Sequence, residues 1–268
     1  MSLKVLVKGA GEQASASAHR LFKAGMQVVM TEISAPTAVR LTVSYCAAVW
    51  DGAVTVEGVR AERWSLADAG RLLEYGFDCL PVFVDPEARV RDVWKPDVIV
   101  DGRIAKQNLD NALSDAPLVI GLGPGLWAGR DVHVVVETDR GPNLGSLVRE
   151  GPASADTGVP GLVGGYARER VLRAPVAGVV QAERAIGSSV AAGDVVGFVS
   201  GAEVRTEIAG MLRGFARSGL VVSAGLKIGD VDPRQDDALC RSFSDKALRI
   251  ADGVLEAIQA WTFAPVRR

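Results

Sequence analysis

Cysteine and histidine are scarce in this chain. Cys46, Cys79 and Cys240 are odd in number, far apart and form no Cys-x-x-Cys. A disulfide framework is excluded, and a reducing, cytoplasmic setting is expected. With only His19 and His133, too few nitrogen and sulfur ligands exist for an internally ligated metal, so no metal site is expected. An excess of one charge is also missing: 30 Lys and Arg stand against 32 Asp and Glu, a net −2. Neither nucleic acid nor an acidic membrane therefore has an electrostatic reason to bind. No uncharged run approaches the ~20 residues of a membrane helix. The start, Met1-Ser2-Leu3-Lys4, runs directly into an apolar strand, without the regions of a signal peptide. Gly-x-Ser-x-Gly elbows, a Walker lysine and paired-histidine motifs are absent too. Catalytic chemistry is not announced.

What is present is ample core material: 48% hydrophobic and 23% charged residues over 268 positions, enough for two domains. Residues 1–150 alternate between strand and helix patterns. Buried-strand runs are Val5–Val7, Val28–Met30, Leu80–Val84, Val98–Val100, Leu118–Ile120 and Val132–Val136. Ala14, Ala18, Leu21 and Phe22 share one face of a helix that Gly25 ends. Ala53–Trp64 reads as a small inserted hairpin. This grammar predicts a Rossmann-like α/β domain on a mostly parallel sheet.

Two glycine loops stand at strand ends. Gly9-Ala10-Gly11 fits Gly-x-Gly-x-x-Ala between a strand and a helix, with Glu32 about twenty residues on. In such folds the glycines admit a pyrophosphate to the helix N-terminus and the acid holds ribose hydroxyls. Glu12 is an objection, since a carboxylate there repels phosphate. The second loop, Gly121-Leu122-Gly123-Pro124-Gly125, follows a buried strand and could form an anion-binding nest. Candidate ligand-binding residues are thus Gly9, Gly11, Glu32, Asn108, Gly121, Gly123 and Gly125. Asp85 ends a further strand at the same edge. Lys106 and Asn108, after Asp101, sit at an expected helix start, either touching a phosphate or carboxylate or simply solvated. Asp101, Lys106, Glu137 and Thr138 are the catalytic candidates. The short segment before the strand ending in Glu137 leaves it open whether that strand is antiparallel, which would place Glu137 and Thr138 on the opposite edge. His133 reads as a hydrogen-bonded core histidine.

Beyond Gly151 the pattern changes. Residues 151–170 read as a Gly/Pro-rich linker. A gapless 32-residue repeat occupies 171–234, with glycines in register at 178/210, 187/219, 193/225 and 197/229. Such doubling predicts a small all-β barrel-sandwich of lipoyl or biotinyl type. The junction Val199-Ser200-Gly201-Ala202-Glu203-Val204-Arg205 has no lysine to carry a prosthetic group, so any cofactor is expected to bind non-covalently. Residues 235–268 hold an amphipathic helix, Asp245–Trp261, with Ser242 and Asp245 as a capping-box start. Its stripe of Ala247, Ala251, Val254, Leu255, Ile258 and Trp261 is expected to dock on a neighbouring domain or a second subunit, making a homodimer possible.

A wider pattern joins these segments: Gly9-Ala10-Gly11, Ala18 to Gly25, Glu32-Ile33, Asp101, Ala105-Lys106, Asn108, Ala116 to Gly125, Glu137-Thr138, Arg140-Gly141, Arg173-Ala174-Pro175, Lys227 to Arg234 and Ser244 to Ala247. It resembles the selenium-dependent molybdenum hydroxylase accessory proteins, a bacterial family. The resemblance implies a maturation role for a molybdenum hydroxylase client and a molybdopterin-type ligand, beside the nucleotide (NAD-like) ligand that the glycine loops suggest. The chain departs from the family at Pro142, where a histidine is usual, and at Asp156, where asparagine is frequent. An NAD(P)-dependent oxidoreductase and a ligand-free docking scaffold are the alternatives.

Overall fold

The computed structural model describes residues 2–74 and 77–263. The chain divides into two units: residues 1–34, 45–157 and 243–268 in one, 35–44 and 158–242 in the other.

The first unit is built on nine strands. In chain order they are β1 (Lys4–Lys8), β2 (Gln27–Glu32), β3 (Ala53–Val56), β4 (Val59–Trp64), β5 (Leu80–Val84), β6 (Val98–Asp101) and β7 (Leu118–Leu122), then β9 (Val134–Val136) and β10 (Leu147–Val148). A minor ribbon pairs β8 (Trp127–Ala128) with β11 (Gly151–Pro152). The spatial order of the large sheet is β10-β9-β7-β6-β1-β2-β5-β4-β3. Pairing from β9 through β4 is parallel, whereas β3 and β10 are antiparallel at the two rims. The expectation of a Rossmann-like, mostly parallel domain is therefore corrected to a mixed sheet. Short hairpins at both rims reverse the chain without a crossover helix.

Parallel strands buried on both faces need apolar residues throughout. One face packs Leu6, Val29, Phe83, Ile99, Val119 and Val135 with Trp94 of α4 (Val90–Trp94). The other carries α1 (Glu12–Lys23), which packs on β1 and β2, and α6 (Asp245–Thr262), which lies along α1, β7 and β9. Short helical turns α2 (Ala48–Asp51) and α3 (Arg71–Glu74) flank the β3–β4 hairpin. Gly25, with φ 85°, follows the last turn of α1 as the left-handed terminator expected there.

Helix α6 buries Ala247, Ile250, Ala251, Gly253, Val254, Ala257 and Ile258. Of the two expected docking partners, a neighbouring domain or a second subunit, the buried residues of this stripe meet the first: α1, β7 and β9 cover them. Ser244, not Ser242, is the N-cap, its Oγ accepting from Ala247 N at 3.2 Å. Gly253 lets the helix sit on the backbone of Gly145, where a Cβ would collide with the carbonyl oxygen.

The second unit contains β12 (Val171–Arg173), β13 (Gly178–Ala182), β14 (Ser189–Val190), β15 (Val195–Val199), β16 (Ala202–Arg205), β17 (Gly210–Phe215), β18 (Val221–Val222) and β19 (Lys227–Asp232). A shift of 32 residues carries β12–β15 onto β16–β19. They form two four-stranded sheets, β12-β19-β17-β14 and β16-β15-β13-β18, all of whose pairings are antiparallel. No barrel closes, so the barrel-sandwich expectation is corrected: each sheet ends on free rim strands. In each sheet the two central strands belong to one copy of the repeat and the two rims to the other.

A buried ion network crosses the first of these sheets. Asp230 accepts from Arg170 Nη1 and from Arg213 Nε and Nη2, while Asp232 accepts from Arg213 Nη1 at 3.1 Å and from Arg234 Nε at 2.9 Å. Burial opposes ionisation of Asp232, but the Arg234 and Arg213 guanidiniums outweigh it and hold the carboxyl below its usual range. Segment 35–44 belongs to this unit: Arg40 Nη2 donates to the carbonyls of Leu239 and Ser242 around the short helix α5 (Ala238–Arg241). Those carbonyls are the acceptors that a helix C-terminus leaves over.

Candidate functional site

The carboxyl ends of parallel strands share one edge, and ligands of such sheets sit there. At that edge Lys8 closes β1. Its side chain is only 2% exposed, and Nζ donates to Asp110 Oδ1 and Asn111 Oδ1, each at 3.0 Å. Asp101 closes β6 and receives Arg103 in a fork, Nε to Oδ1 at 2.9 Å and Nη2 to Oδ2 at 2.8 Å. Asn111 Nδ2 donates to Asp101 Oδ2 at 2.6 Å. Arg103 Nη2 also reaches Asp110 Oδ1 at 2.5 Å. Asp110 thus bridges two cations, and its own side chain is 39% exposed. Burial works against ionising Asp101 and Asp110, yet the neighbouring cations hold both below the ordinary carboxylate range.

Asn108 braces this cluster through Asn111: its Oδ1 accepts Asn111 N at 2.9 Å and its Nδ2 donates to Asn111 O at 2.9 Å. The helix expected after Asp101 does not form; residues 102–112 are irregular. Ile104 and Lys106 there adopt φ of 52° and 61°. For residues with a Cβ this left-handed region costs about 1–2 kcal/mol each, and it is rarer still for a β-branched side chain. Lys106 Nζ pairs with Asp156 at 2.7 Å.

The first glycine loop is closed upon itself. Ala10 N donates to Glu32 Oε2 and Ile33 N to Glu32 Oε1, both at 2.8 Å. Glu32 is therefore an acceptor for its own loop rather than for a ribose. Burial pushes its pKa up against these two hydrogen bonds. Gly9, at φ 88°, lies against the backbone of Arg103, 3.2 Å from where its Cβ would stand. A pyrophosphate would need that space. Gly11 is the N-cap of α1 and has no side chain to cap with. Glu12 points away from the loop, its Oε1 accepting Ser244 N at 3.0 Å.

The second loop packs as tightly. A Cβ at Gly121 would meet the side chain of Leu126, one at Gly123 the Oγ1 of Thr138, and one at Gly125 the carbonyl of Lys106. Strand β9 pairs with β7 in parallel register, so Glu137 and Thr138 lie on this same edge and an antiparallel placement is excluded. The Glu137 carboxylate accepts Thr138 N and Asp139 N at 2.7 Å and Ser154 N at 2.8 Å. These backbone donors outweigh burial and keep it ionised below its usual pKa. A carboxylate so saturated holds a turn. His133 Nδ1 accepts Val119 N at 2.9 Å, and burial lowers its pKa, as befits a neutral core histidine.

The structure thus gathers Gly9, Asp101, Lys106, Asn108, Gly121, Gly123, Gly125 and Thr138 along one edge. Sequence reasoning passes over Lys8, Arg103, Asp110 and Asn111, although a lysine closing an apolar strand directly before Gly9 was the available signal. Among the described residues no group of three or more His, Cys, Asp or Glu could hold a metal ion. Nor is any helix among them long and apolar enough to cross a membrane.

No family model matches the chain. It is 46% identical over 255 residues to the uncharacterised protein YqeB of Escherichia coli (strain K12), an alignment covering 95% of this chain and 47% of that protein. The chain therefore spans about half the length of the curated relative it matches. Solved structures similar to it include an aspartoacylase family protein from Mesorhizobium loti, at TM-score 0.28 and 14% identity over 86% of this chain and 85% of that one. A succinylglutamate desuccinylase/aspartoacylase from Rhodobacter sphaeroides matches at TM-score 0.28 and 12% identity, covering 88% and 87%. Superpositions this loose transfer neither fold nor activity. The resemblance to molybdenum hydroxylase accessory proteins is corrected by the same findings. No family model carries it, and the relative at 46% identity is uncharacterised. With it go the maturation role, the selenium association and the molybdenum hydroxylase client. The NAD(P) alternative loses its ribose acid to the Glu32 contacts.

Proposed function

We propose that the carboxyl edge of the mixed sheet binds a small molecule through one carboxylate or phosphate group, held by Lys8 and Arg103. The observation that carries this reading is the bridge made by Asp110. Two side-chain cations, one buried and one mostly so, converge on one partly exposed carboxylate. A ligand oxyanion presents the same acceptor oxygens to the same donors, and Arg suits its planar fork. Asn108 supports the site by bracing Asn111, which bonds both Lys8 and Asp101. Asp101 and Glu137 act in this reading as fixed ionised supports, which favours binding over proton transfer. Three buried, free cysteines support a reducing, cytoplasmic location.

Calorimetric titration with inorganic phosphate, pyrophosphate, succinate and citrate tests the proposal and separates the two anion classes. Lys8→Met and Arg103→Ala should each weaken whichever anion binds by roughly tenfold or more, the worth of a charge-assisted hydrogen bond. Absence of binding by all four, or binding indifferent to both substitutions, would refute it.

A further inference from the structure

One stretch of chain explains the missing side chains at two separate glycines. Arg103 lies 3.2 Å from the Cβ position of Gly9, and the peptide of Lys106 and Gln107 occupies that of Gly125. Gly102 in turn rests on Ala14 of α1, where a Cβ would come within 2.7 Å. Residues 102–107 therefore fill the cradle after β1 and the cradle after β7 together. Within this stretch stand Ile104 and Lys106 in left-handed conformation. Four ionic contacts hold the wider loop down: Arg103 to Asp101, Arg103 and Lys8 to Asp110, and Lys106 to Asp156.

We infer that residues 102–110 form an intrasteric strap, and that Asp110 is an internal stand-in for the anion of the ligand. This rests on the anion site proposed above and adds its regulation. Charge bookkeeping favours Asp110 as the group that leaves. Lys8 and Arg103 are balanced by Asp101 and Asp110, so a singly charged ligand group can replace one carboxylate without changing the total. Asp101 is 4% exposed and stays; Asp110, already in partial contact with water at 39% exposure, is the carboxylate that can swing out and be hydrated. When the Asp110 bridge opens, Arg103 stays forked on Asp101 as the hinge and offers its freed donor to the ligand beside Lys8, while Ile104 and Lys106 are free to return to ordinary φ and Gly125 is uncovered. A protein held mostly closed binds its ligand more weakly, its apparent Kd being the intrinsic one divided by the open fraction.

Amide hydrogen exchange and calorimetry on the full chain, with phosphate and succinate as probes, test the strap. Asp110→Asn should speed exchange within 102–110 and tighten the anion that binds by roughly threefold or more. Ile104→Gly removes the left-handed penalty while leaving every ion pair, so it should slow exchange there and weaken the same anion. Unchanged exchange in both variants, or weaker binding by Asp110→Asn, would overturn the strap. If neither probe binds any variant, the anion reading and Asp110's stand-in role both fail, and the exchange data alone then decide whether 102–110 opens as a unit.

Discussion

Replacing Asp230 by asparagine keeps the shape of the side chain and removes the charge that two guanidinium groups share. Asp230 is fully buried, and Arg170 and Arg213 are 8% and 10% exposed. Arg213 keeps Asp232 as a partner, and Lys227 Nζ loses a weaker contact at 3.7 Å. Breaking a buried pair on one side typically destabilises by about 3–5 kcal/mol, because the remaining charge stays out of water without compensation. With a urea dependence of roughly 1–3 kcal/mol per molar, the unfolding midpoint of this unit should fall by at least about 1 M. Asp237→Asn is the matched control. Its bond to Arg241 joins two exposed side chains, and losing it should change stability by no more than ~0.5 kcal/mol. Urea titration followed by circular dichroism measures both. If Asp230→Asn cost no more than the control, the network would be surface-like in energy and the burial argument wrong.

Other expectations concern the first unit and the acid limb. Gly125→Ala forces a Cβ onto the Lys106 carbonyl at φ 90° and should destabilise by about 2 kcal/mol or more, measured by thermal unfolding. Ser244→Ala removes the N-cap of α6 and should cost about 0.5–2 kcal/mol, whereas Ser242→Ala should leave that helix intact. Asp101, Glu137 and Asp232 all titrate below their ordinary values. Their stabilising contributions are therefore complete above the unfolded pKa values of about 4 and disappear as pH falls through the folded ones. Glu32 runs the other way, since its folded pKa is raised and protonation favours the native state. Stability measured in urea should drop steeply below about pH 4; a rise there would contradict the assignment.

Strands were legible wherever both faces are buried. Leu80–Val84 coincides with β5, and Val98–Val100 falls one residue short of β6. An apolar run dictates burial on both sides, and parallel strands meet that requirement. The rim at β3 was legible as the Ala53–Trp64 hairpin, but the other rim was not, since β10 is two residues long and carries no period. The parallel run of β9 defied the short segment before it because residues 123–133 cross back through the β8 turn rather than a helix. At the site, Gly9, Asp101 and Gly125 could be read from their places after apolar runs. What else confines Gly9 and Gly125, beyond their positive φ of 88° and 90°, could not: Arg103, Lys106 and Gln107 press on them from a loop whose left-handed turns at Ile104 and Lys106 no side-chain type announces. Lys8 was hidden for a related reason, because only the fold brings Asp110 and Asn111 to it.

The exchange of rims and centres between the two repeats has a consequence for how the second unit comes into being. Neither copy can complete a sheet alone: β13 and β15 wait for β16 and β18, as β17 and β19 wait for β12 and β14. Leu172 meets Gly229 and Gly178 meets Val222 only once the chain has run well into the other copy. Such distant closures slow folding and make it all-or-none. Each copy is thus the obligate partner of the other, and the unit behaves as an intertwined pair whose two members share one covalent thread.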